Sequence, residues 1–481
     1  MGWQYPEFDF SAPLELVVRQ DTSEENLQGY RSDFMRDRDR VLYCSSFRRL
    51  AGKTQIYLTG DDDHKRNRLT HTLEVSQIAR TISWALGLDC DLTEAIALAH
   101  DLGHTPFGHA GEEILHEIMV PQSSVKIKES PMKKISTKPR EIPSAIANMY
   151  GFKHNIQSVR TVVTVEDGYG EYGLNLTNFS LWGIQNHSGV KYQQGKVTTD
   201  YIDPDYRKQY SSHYYLKGIQ KSAWSFEAFV VRAADDIAQW HHDLEDALRG
   251  NAMTIGDVRD TIITALGPIM STDDKATFDN LQNVNSLNRR YIAMLSKIVV
   301  NTLVNRIVEC SYHNLQELWK QNENYRKDRL NIFVDGSEDD VAIKNAISFL
   351  KYGELRTDVS EMQQRYPSVI REKIHHSMDV ERMNAKGQYI IRKIFEAYWT
   401  HPQQLPDGTL RRTAVDFGIY KSIDDARNSG IGAVRMEFES FMHSEKWHEL
   451  HYQIQLMRRI CDHIAGMTDH FAMIEYQNLY G

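Results

Sequence analysis

The chain has 481 residues, of which 41% are apolar and 25% are charged, the composition of an ordinary globular protein with roughly two to three domains. Its net charge of −9 at pH 7 excludes a general attraction to nucleic acid or to anionic membranes. The four cysteines form no CxxC pair, which excludes a zinc ribbon and indicates a reduced, cytoplasmic protein. No signal peptide is recognisable and no apolar run approaches the ~20 residues that cross a bilayer, so we predict no membrane association.

Most of the chain has the periodicity of amphipathic helices. Apolar spacing predicts helices over 68–86 and over 92–103, the second capped by Asp91 and ended by Gly103. Three more helices are predicted over 112–119, 225–248 and 288–312. A small β-hairpin is predicted over 161–177, where two apolar runs flank a glycine-rich turn. The sequence therefore predicts an all-α fold with one small β-hairpin.

The chain is predicted to divide into two regions. Residues 1–300 form a catalytic core with an N-terminal arm over about residues 1–30, and residues 301–481 form a helical region that packs back on the core. A segment rich in lysine, serine and proline, 121–143, is predicted to be an exposed basic loop. Two interpretations of this loop remain open: a solvated insertion, or a contact for nucleotide phosphate or single-stranded nucleic acid.

Metal-capable side chains recur at positions that face inward. His71 lies one turn before Val75, and His100 lies four residues after Ile96, so both histidines are on apolar helix faces. Asp101 follows His100, and burying a carboxylate beside an imidazole is costly unless a cation compensates. A later helix carries a polar stripe formed by Asp235, Gln239, His242 or Asp243, and Asp246. A solvated acidic face is the alternative interpretation of that stripe.

Two histidines and two aspartates from separate helices suit a divalent cation with open positions for water. The spacing leaves open whether the second aspartate is Asp235 or Asp236. Such an ion lowers the pKa of bound water towards about 7. Arg68 lies one turn before His71 and offers a planar fork to phosphate, while His109, three residues before Glu112, is a candidate proton donor. These residues predict metal-assisted hydrolysis of a phosphoester.

Short motifs throughout the chain resemble those of one family, the deoxyguanosinetriphosphate triphosphohydrolase family of HD-domain dNTP triphosphohydrolases. His71, the His100-Asp101 doublet and Asp235 match the H…HD…D signature of HD domains. The narrower motifs are FRRLAGKTQIY (47–57), RLTHTLEVSQIAR (68–80), HDLGHTPFGHAGEE (100–113), FKHNIQSVR (152–160), GLNLT (173–177), RAADDIA (232–238) and DHIAGMTDHFA (462–472). The resemblance therefore extends from about residue 30 to about residue 473.

The resemblance implies a mostly helical HD-domain fold and hydrolysis of a dNTP to a deoxynucleoside and tripolyphosphate, with water attacking the α-phosphorus. It implies a divalent metal ion, Mg²⁺ or Mn²⁺ with Co²⁺, Ni²⁺, Zn²⁺ or Fe²⁺ as alternatives. It favours Asp235 over Asp236 as the fourth ligand. The residues matched to roles are His71, His100, Asp101 and Asp235 as metal ligands, His109, Glu112 and His104 as catalytic residues, and Gln55, Arg68, Asn155 and Asp243 as substrate contacts.

Two positions depart from the family pattern. Gln239 stands where relatives carry a tyrosine that packs against the sugar, which leaves discrimination against a 2′-hydroxyl open. Asn186-His187 stands where several relatives carry a Lys-Tyr pair, so we predict His187 as a substrate contact. The lysine of that pair would contact a phosphate group, and in this chain we predict that Lys208, Lys217 or Lys221 makes this contact instead. Base preference is open for the same reason.

The resemblance also implies assembly and regulation. Relatives form tetramers or hexamers, and some respond to a second nucleotide or to DNA, so we predict a homo-oligomer with a regulatory nucleotide or single-stranded DNA as a partner. Two alternative functions remain. One is an HD phosphohydrolase that acts on another nucleotide, of a cyclic or alarmone type, and the other is a weakly active regulator that binds nucleotide or single-stranded DNA.

Overall fold

A computed structural model describes residues 5–22, 29–55, 66–120, 151–187, 210–250, 252–281, 289–354 and 378–481. Within these ranges the chain forms twenty α-helices and no β-strand, which confirms the predicted all-α class. The basic loop predicted over 121–143 and the candidate phosphate contact Lys208 lie outside the described residues.

The helices are numbered here in chain order. They are α1 (Asp33–Tyr43), α2 (Ser45–Arg49), α3 (Arg68–Ala85), α4 (Cys90–Ala99), α5 (Gly108–Met119), α6 (His154–Arg160), α7 (Asn178–Asn186), α8 (Phe226–Arg249), α9 (Ile255–Leu266), α10 (Thr272–Leu281), α11 (Arg289–Gln321), α12 (Glu323–Lys327), α13 (Asn331–Asp335), α14 (Val341–Lys344), α15 (Met378–Thr400), α16 (Asp407–Asp416), α17 (Ile423–Asn428), α18 (Ile431–Met442), α19 (Leu450–Ala465) and α20 (Asp469–Tyr480).

Both ends of α4 differ from the prediction. Asp89, not Asp91, caps this helix, because its side chain accepts the backbone N–H groups of Asp91 and Leu92. The helix ends at Ala99, four residues before Gly103. Gly103 has a different role: α6 lies so close that a Cβ there would fall 2.2 Å from the backbone nitrogen of Ser158. The absence of a side chain at Gly103 therefore allows α6 to pack directly against the turn that carries the HD doublet.

The predicted β-hairpin over 161–177 is wrong. Residues Thr161–Val165 continue α6 as one turn of π-helix, and Gly170–Tyr172 form a 3₁₀ turn. The chain does reverse here, since Leu174 donates to the carbonyl of Val162, but no strand ladder forms along this described segment. The β-branched run suggested a strand, whereas the buried positions Ile156, Val159 and Val162 follow helical spacing.

The longest helix, α11, is the one helix among the described residues that is long and apolar enough to cross a membrane by composition alone. Half of its most apolar window is buried against other parts of the protein. Its inward residues, including Leu295, Val299 and Leu303, pack in the core of the chain. The helix also runs through residue 300, where the sequence analysis placed the boundary between the two predicted regions.

Two hydrophobic cores organise the described residues. The first extends from Phe8 to Val380 and contains α3, α4, α7 and α8. The second joins the apolar side of α5 to α15, α16, α18, α19 and α20. Helix α5 thus belongs to the second core, although its predicted catalytic residues must act with residues carried by the first. The candidate site lies where the two cores meet.

Candidate active site

Four side chains from three elements form a group that we call the donor cluster: His71 on α3, His100 and Asp101 after α4, and Asp235 on α8. Asp235 Oδ1 lies 3.0 Å from His71 Nε2 and 3.9 Å from His100 Nε2. Asp101 Oδ1 lies 3.4 Å from His100 Nε2. Donor atoms of His71, His100 and Asp101 all lie within 4.8 Å of one another. The neighbouring Asp236 is exposed on the outer side of α8.

His100 is the central member of the donor cluster. Its Nδ1 lies 2.6 Å from the carbonyl oxygen of Ala97, an arrangement that keeps the proton on Nδ1 and the lone pair on Nε2. His100 is fully buried and its Nε2 forms no hydrogen bond. A buried lone pair facing two carboxylates is costly without a cation between them. The residues of the donor cluster therefore fit a divalent metal ion.

The charges of the donor cluster already depend on one another. Burial alone would raise the pKa of Asp101, but His100, His104 and Arg68 hold it well below its ordinary value. Burial likewise opposes ionisation of Asp235, whose pKa is nevertheless lowered by its hydrogen bond with His71 and by the proximity of His100. Both aspartates are therefore carboxylates at neutral pH, the form that binds a cation.

Arg68, at the first position of α3, adds a fixed positive charge to this cluster. Its Nη1 donates to Asp101 Oδ2 at 2.7 Å, and only 1% of its surface is exposed. Its Nη2 and Nε form no hydrogen bond. Gln55 lies nearby, since a Cβ at Gly108 would be 3.4 Å from Arg68 Nη2 and 3.7 Å from the Gln55 carbonyl. The unpaired edge of the guanidinium suits an anion such as phosphate.

A second group, which we call the Glu112 cluster, consists of Glu112 on α5 with Lys153, His154 and His104. Glu112 Oε2 accepts from His154 Nδ1 at 2.6 Å, and Glu112 Oε1 accepts from Lys153 Nζ. The ring of His154 stacks on that of His104, with centroids 3.9 Å apart. His104 Nε2 in turn lies 3.1 Å from Asp101 Oδ1. His104 therefore connects the Glu112 cluster to the donor cluster.

His109 does not contact Glu112 through a hydrogen bond in this structure. Its ring lies 5.6 Å from His104 and 6.4 Å from His154, centroid to centroid, and its side chain is accessible to solvent. Although the ring is accessible, desolvation by the surrounding protein lowers the pKa of His109 to about 4; Glu112 opposes this shift and Arg68 adds to it. Burial by itself would raise the pKa of Glu112. The neighbouring His154 and Lys153 outweigh this effect and hold the pKa of Glu112 well below its ordinary value.

The turn between the HD doublet and α5 is held by two distant segments of the chain. The buried Lys53 donates to the carbonyl oxygens of His104 and Ala465. Asp469, at the first position of α20, accepts from the backbone N–H groups of Phe107 and Thr54 at 2.9 and 2.8 Å. These bonds connect the KTQ and GMTD segments to the turn that carries His104 and His109.

The other predicted contacts, His187, Asn155 and Asp243, are all buried. His187 ends α7 with its ring 5.1 Å from that of His100, and its Nε2 forms no hydrogen bond. Burial lowers the pKa of His187 to about 3, so it is neutral. Asn155 is buried beside α7 and donates to the carbonyl of Gln185 at 3.3 Å. Asp243 is buried two turns beyond Asp235 on α8.

Several residues of the site have no role predicted from the sequence, where His242 is named only as a possible member of the polar stripe. Lys153 and His154 are the partners of Glu112, and Glu74, His241 and His242 form a further group beside His71. A signal existed for these residues. His154 directly precedes the predicted Asn155, Glu74 lies three residues after His71 on α3, and His241 and His242 form a doublet on α8.

The fold and the donor cluster together define a helical HD-domain hydrolase. The HD domain model matches residues 68–163, which contain His71 and the HD doublet, and the phosphohydrolase-associated domain model matches residues 436–478 in the second core. HD domains are metal-dependent, in agreement with the donor cluster.

Several relatives are named deoxyguanosinetriphosphate triphosphohydrolase-like protein. One from Bartonella quintana is 31% identical over 464 residues, 95% of this chain and 91% of the relative. One from Caulobacter vibrioides is 31% identical over 94% of this chain and 90% of its own length. One from Leptospira interrogans is 31% identical over 95% of this chain and 92% of its own length. The chain belongs to the deoxyguanosinetriphosphate triphosphohydrolase-like family, which confirms the resemblance found in the sequence.

Proposed function

We propose that this protein hydrolyses deoxynucleoside triphosphates, dGTP and other dNTPs, to a deoxynucleoside and tripolyphosphate. One observation carries the proposal: two buried imidazoles and two carboxylates converge beside Arg68, whose Nη2 and Nε form no hydrogen bond. This arrangement suits the binding of a phosphate group next to a cation. The names of the relatives, deoxyguanosinetriphosphate triphosphohydrolase-like protein, support the triphosphohydrolase reaction.

The donor cluster His71, His100, Asp101 and Asp235 would hold the metal ion, for which we propose Mg²⁺ or Mn²⁺. When bound, such an ion lowers the pKa of a coordinated water towards about 7 and neutralises charge on a phosphate oxygen. Transition metals such as Co²⁺, Ni²⁺, Zn²⁺ and Fe²⁺ also accept two imidazoles and two carboxylates, so the ligand set does not by itself select the ion.

The chain's own residues bind the triphosphate and supply a proton. Water attacks the α-phosphorus, the bond from phosphorus to the 5′-oxygen breaks, and the triphosphate leaves with the oxygen of the water. We assign His109 as the donor of the proton that the 5′-oxygen takes up. Its pKa is about 4 without substrate, and the negative charges of a bound triphosphate raise the pKa of a neighbouring imidazole. Arg68 holds the phosphate, and Glu112 orients His154 against His104.

The deoxynucleoside is proposed to contact Gln55, Asn155, Asp243 and His187, of which His187 has its ring 5.1 Å from that of His100. With Lys208 outside the described residues, Lys217 and Lys221 remain the described candidates for a further phosphate contact. Homo-oligomerisation, a regulatory nucleotide or single-stranded DNA, and a cytoplasmic location stay predictions from the sequence.

Product analysis tests the reaction. The purified chain with Mg²⁺ or Mn²⁺ is expected to release tripolyphosphate from at least one dNTP, and in ¹⁸O-labelled water the label is expected in tripolyphosphate, not in the deoxynucleoside. Asp101→Ala, prepared in parallel, is expected to release none. Monophosphate or pyrophosphate as the product, or full turnover by Asp101→Ala, would contradict the proposal.

Substrate preference needs a separate measurement. The four dNTPs, supplied singly and in pairs, report base preference and activation in one series. A rate for a pair that exceeds the sum of the single rates indicates a regulatory nucleotide. At saturating concentrations, a rate for a pair that lies between the two single rates indicates competition for a single nucleotide site per chain.

A further inference from the structure

His242 on α8 lies between a residue of the donor cluster and a carboxylate, and the proposed reaction gives it no role. Its Nδ1 lies 3.3 Å from His71 Nδ1, and its Nε2 is in contact with Glu74 Oε2. Glu74 lies three residues after His71 on α3. The side chain of His242 is 1% exposed and that of Glu74 is 37% exposed, so His71, His242 and Glu74 form a series that extends from the donor cluster to the surface.

Glu74 determines the direction of the outer hydrogen bond. An ionised carboxylate accepts hydrogen bonds and has no proton to donate. Glu74 Oε2 also lies 3.2 Å from His241 Nε2, and its Oε1 lies 3.5 Å from Arg66 Nε, so neighbouring donors favour the ionised form of this carboxylate. His242 Nε2 must therefore carry a proton, because a lone pair at that position would face the carboxylate and repel it.

The donor cluster requires the same direction from its own end. His71 Nε2 lies 3.0 Å from Asp235 Oδ1, so Nε2 is the nitrogen that faces the proposed metal position. Metal binding requires a lone pair on this nitrogen, and the neutral imidazole then carries its proton on Nδ1. That proton points at His242 Nδ1, which must accept it. A neutral His242 that accepts at Nδ1 and donates at Nε2 meets both requirements, and its other tautomer meets neither.

His100, the other imidazole of the donor cluster, is held differently. Its Nδ1 lies 2.6 Å from the carbonyl oxygen of Ala97, an acceptor that belongs to the backbone of its own segment. The acceptor for His71 Nδ1 is instead a side chain on another helix, and the tautomer of that side chain must itself be fixed. The tautomer of His71 therefore depends on His242 and, through His242, on Glu74.

We propose that His242 and Glu74 are positioning residues for the metal ligand His71. Glu74 fixes the tautomer of His242, and His242 fixes the tautomer and the ring orientation of His71. Outer partners of this kind strengthen metal binding by about 10-fold to 100-fold. The proposal rests on the metal site of the proposed function, but not on the identity of the nucleotide.

Binding of Mn²⁺ to the full chain without nucleotide tests the proposal, with free Mn²⁺ measured by electron paramagnetic resonance. His242→Leu keeps much of the side-chain volume but removes both hydrogen bonds, and is expected to weaken Mn²⁺ binding about 10-fold to 100-fold. His242→Asn is smaller, yet its Oδ1 takes the place of Nδ1 as an acceptor for His71, so it is expected to bind Mn²⁺ more tightly than His242→Leu. Wild-type affinity in His242→Leu would overturn the proposal. A loss in His242→Asn as large as that in His242→Leu would also overturn it, because packing alone would then explain both.

Glu74 is tested by comparison with a second acid. Glu74→Gln presents an amide that donates as well as accepts, so it no longer fixes the tautomer of His242, and Mn²⁺ binding is expected to weaken. Glu245→Gln is the matched control, because it removes the same charge from a residue on α8 that pairs with Arg66 at 2.5 Å and lies outside the series. It is expected to bind Mn²⁺ more tightly than Glu74→Gln. Equal losses would assign the effect to charge and would overturn the role of Glu74.

The tautomer of His242 is also measurable in the wild-type chain. With ¹⁵N-labelled histidine rings and Mg²⁺, nuclear magnetic resonance is expected to show a proton on Nε2 and a lone pair on Nδ1 for the ring whose signals disappear in His242→Asn. A proton on Nδ1 of that ring would overturn the proposal even if His242→Leu does not fold. Wild type that binds no Mn²⁺ would overturn the donor cluster and this proposal together, whereas Mn²⁺ binding without release of tripolyphosphate would contradict the proposed reaction alone.

Discussion

The donor cluster and the Glu112 cluster are neighbours built from the same residue types, yet their charges are arranged in opposite ways. In the donor cluster two carboxylates, Asp101 and Asp235, lie against imidazoles. The neighbouring Arg68, which pairs with Asp101, is the permanent positive charge beside them. In the Glu112 cluster a single carboxylate accepts from both Lys153 and His154. Asp101, His104 and His154 are also close enough to hold an ion. A short distance between ligand atoms therefore does not by itself identify a metal site. The carboxylates of the donor cluster need a further cation, whereas Glu112 already has the ammonium group of Lys153 as its partner.

Replacing Asp235 is expected to give the largest effect. Asp235→Asn removes a carboxylate that contacts His71 and approaches His100, so the donor cluster loses much of the charge that attracts the ion. We expect turnover to fall at least about 10³-fold, equivalent to about 4 kcal/mol, because transition-state stabilisation by the metal is lost. Steady-state kinetics and bound Mn²⁺ per chain are the measurements.

The adjacent aspartate provides a matched control for this substitution. Asp236 is exposed on the same helix, so Asp236→Asn is expected to keep activity within about twofold and to retain the ion. Equal losses in the two variants would show that general acidity on α8, not the position of Asp235, supports activity. That result would remove the contrast between the two clusters.

His109 is expected to affect the rate without affecting the metal. His109→Gln removes the proposed proton donor and leaves the donor cluster unchanged, so kcat is expected to fall about 10²-fold to 10⁴-fold with little change in KM or bound Mn²⁺. His154→Gln is the comparison, because His154 is the imidazole that Glu112 holds in this structure. A larger loss of kcat in His154→Gln than in His109→Gln would assign proton donation to His154.

Lys153 tests the charge balance of the Glu112 cluster through stability. The pKa of Glu112 is lowered in the folded protein, so its ionised form stabilises the fold above the ordinary value of 4.5, and this contribution is lost as pH falls through the folded pKa. Lys153→Met leaves Glu112 with His154 as its main partner. We expect a loss of about 1–2 kcal/mol at pH 7, because the lysine is only partly buried and one partner remains.

Thermal melts at several pH values measure this effect. The difference between Lys153→Met and wild type is expected to narrow as pH falls from 7 to 3, because Glu112 becomes protonated in the variant first. Lys320→Met removes an exposed lysine that pairs with Glu317 at 3.2 Å, and is expected to change stability by less than about 1 kcal/mol at any of these pH values. A difference for Lys153→Met that is constant with pH would mean that Lys153 acts through packing alone.

The sequence predicted the donor cluster better than the Glu112 cluster for a physical reason. His71 and His100 face inward at helical spacing, so local periodicity is enough to find them. Glu112 lies three residues after His109, which suggests a local pair, but its partner is His154, which follows 42 positions later. That contact depends on how closely α6 approaches the HD turn, a distance set by Gly103 and Ser158.

The same distinction explains the errors in secondary structure. The start of α3 at Arg68 was predicted from apolar spacing, whereas the one predicted cap, Asp91, was wrong because Asp89 caps α4. The segment 161–177 has strand-like composition, yet it continues a helix because its buried residues pack against neighbouring elements. The second core was not predictable in this form, since α5 joins helices more than 250 positions further along the chain. Long-range packing, not local preference, decided each of these features.

The smallest expected effect concerns the sugar, with which neither cluster is proposed to interact. Gln239 is partly buried on α8, one turn beyond Asp235, at the position that the sequence resemblance matches to a tyrosine. Gln239→Tyr is expected to raise the ratio of kcat/KM for dGTP over GTP by about tenfold, because a pocket wall rejects an added hydroxyl only moderately. Gln239→Phe separates ring packing from the phenolic hydroxyl. An unchanged ratio in both variants would mean that discrimination against the 2′-hydroxyl lies elsewhere, with Gln55 or Asp243 next to be tested.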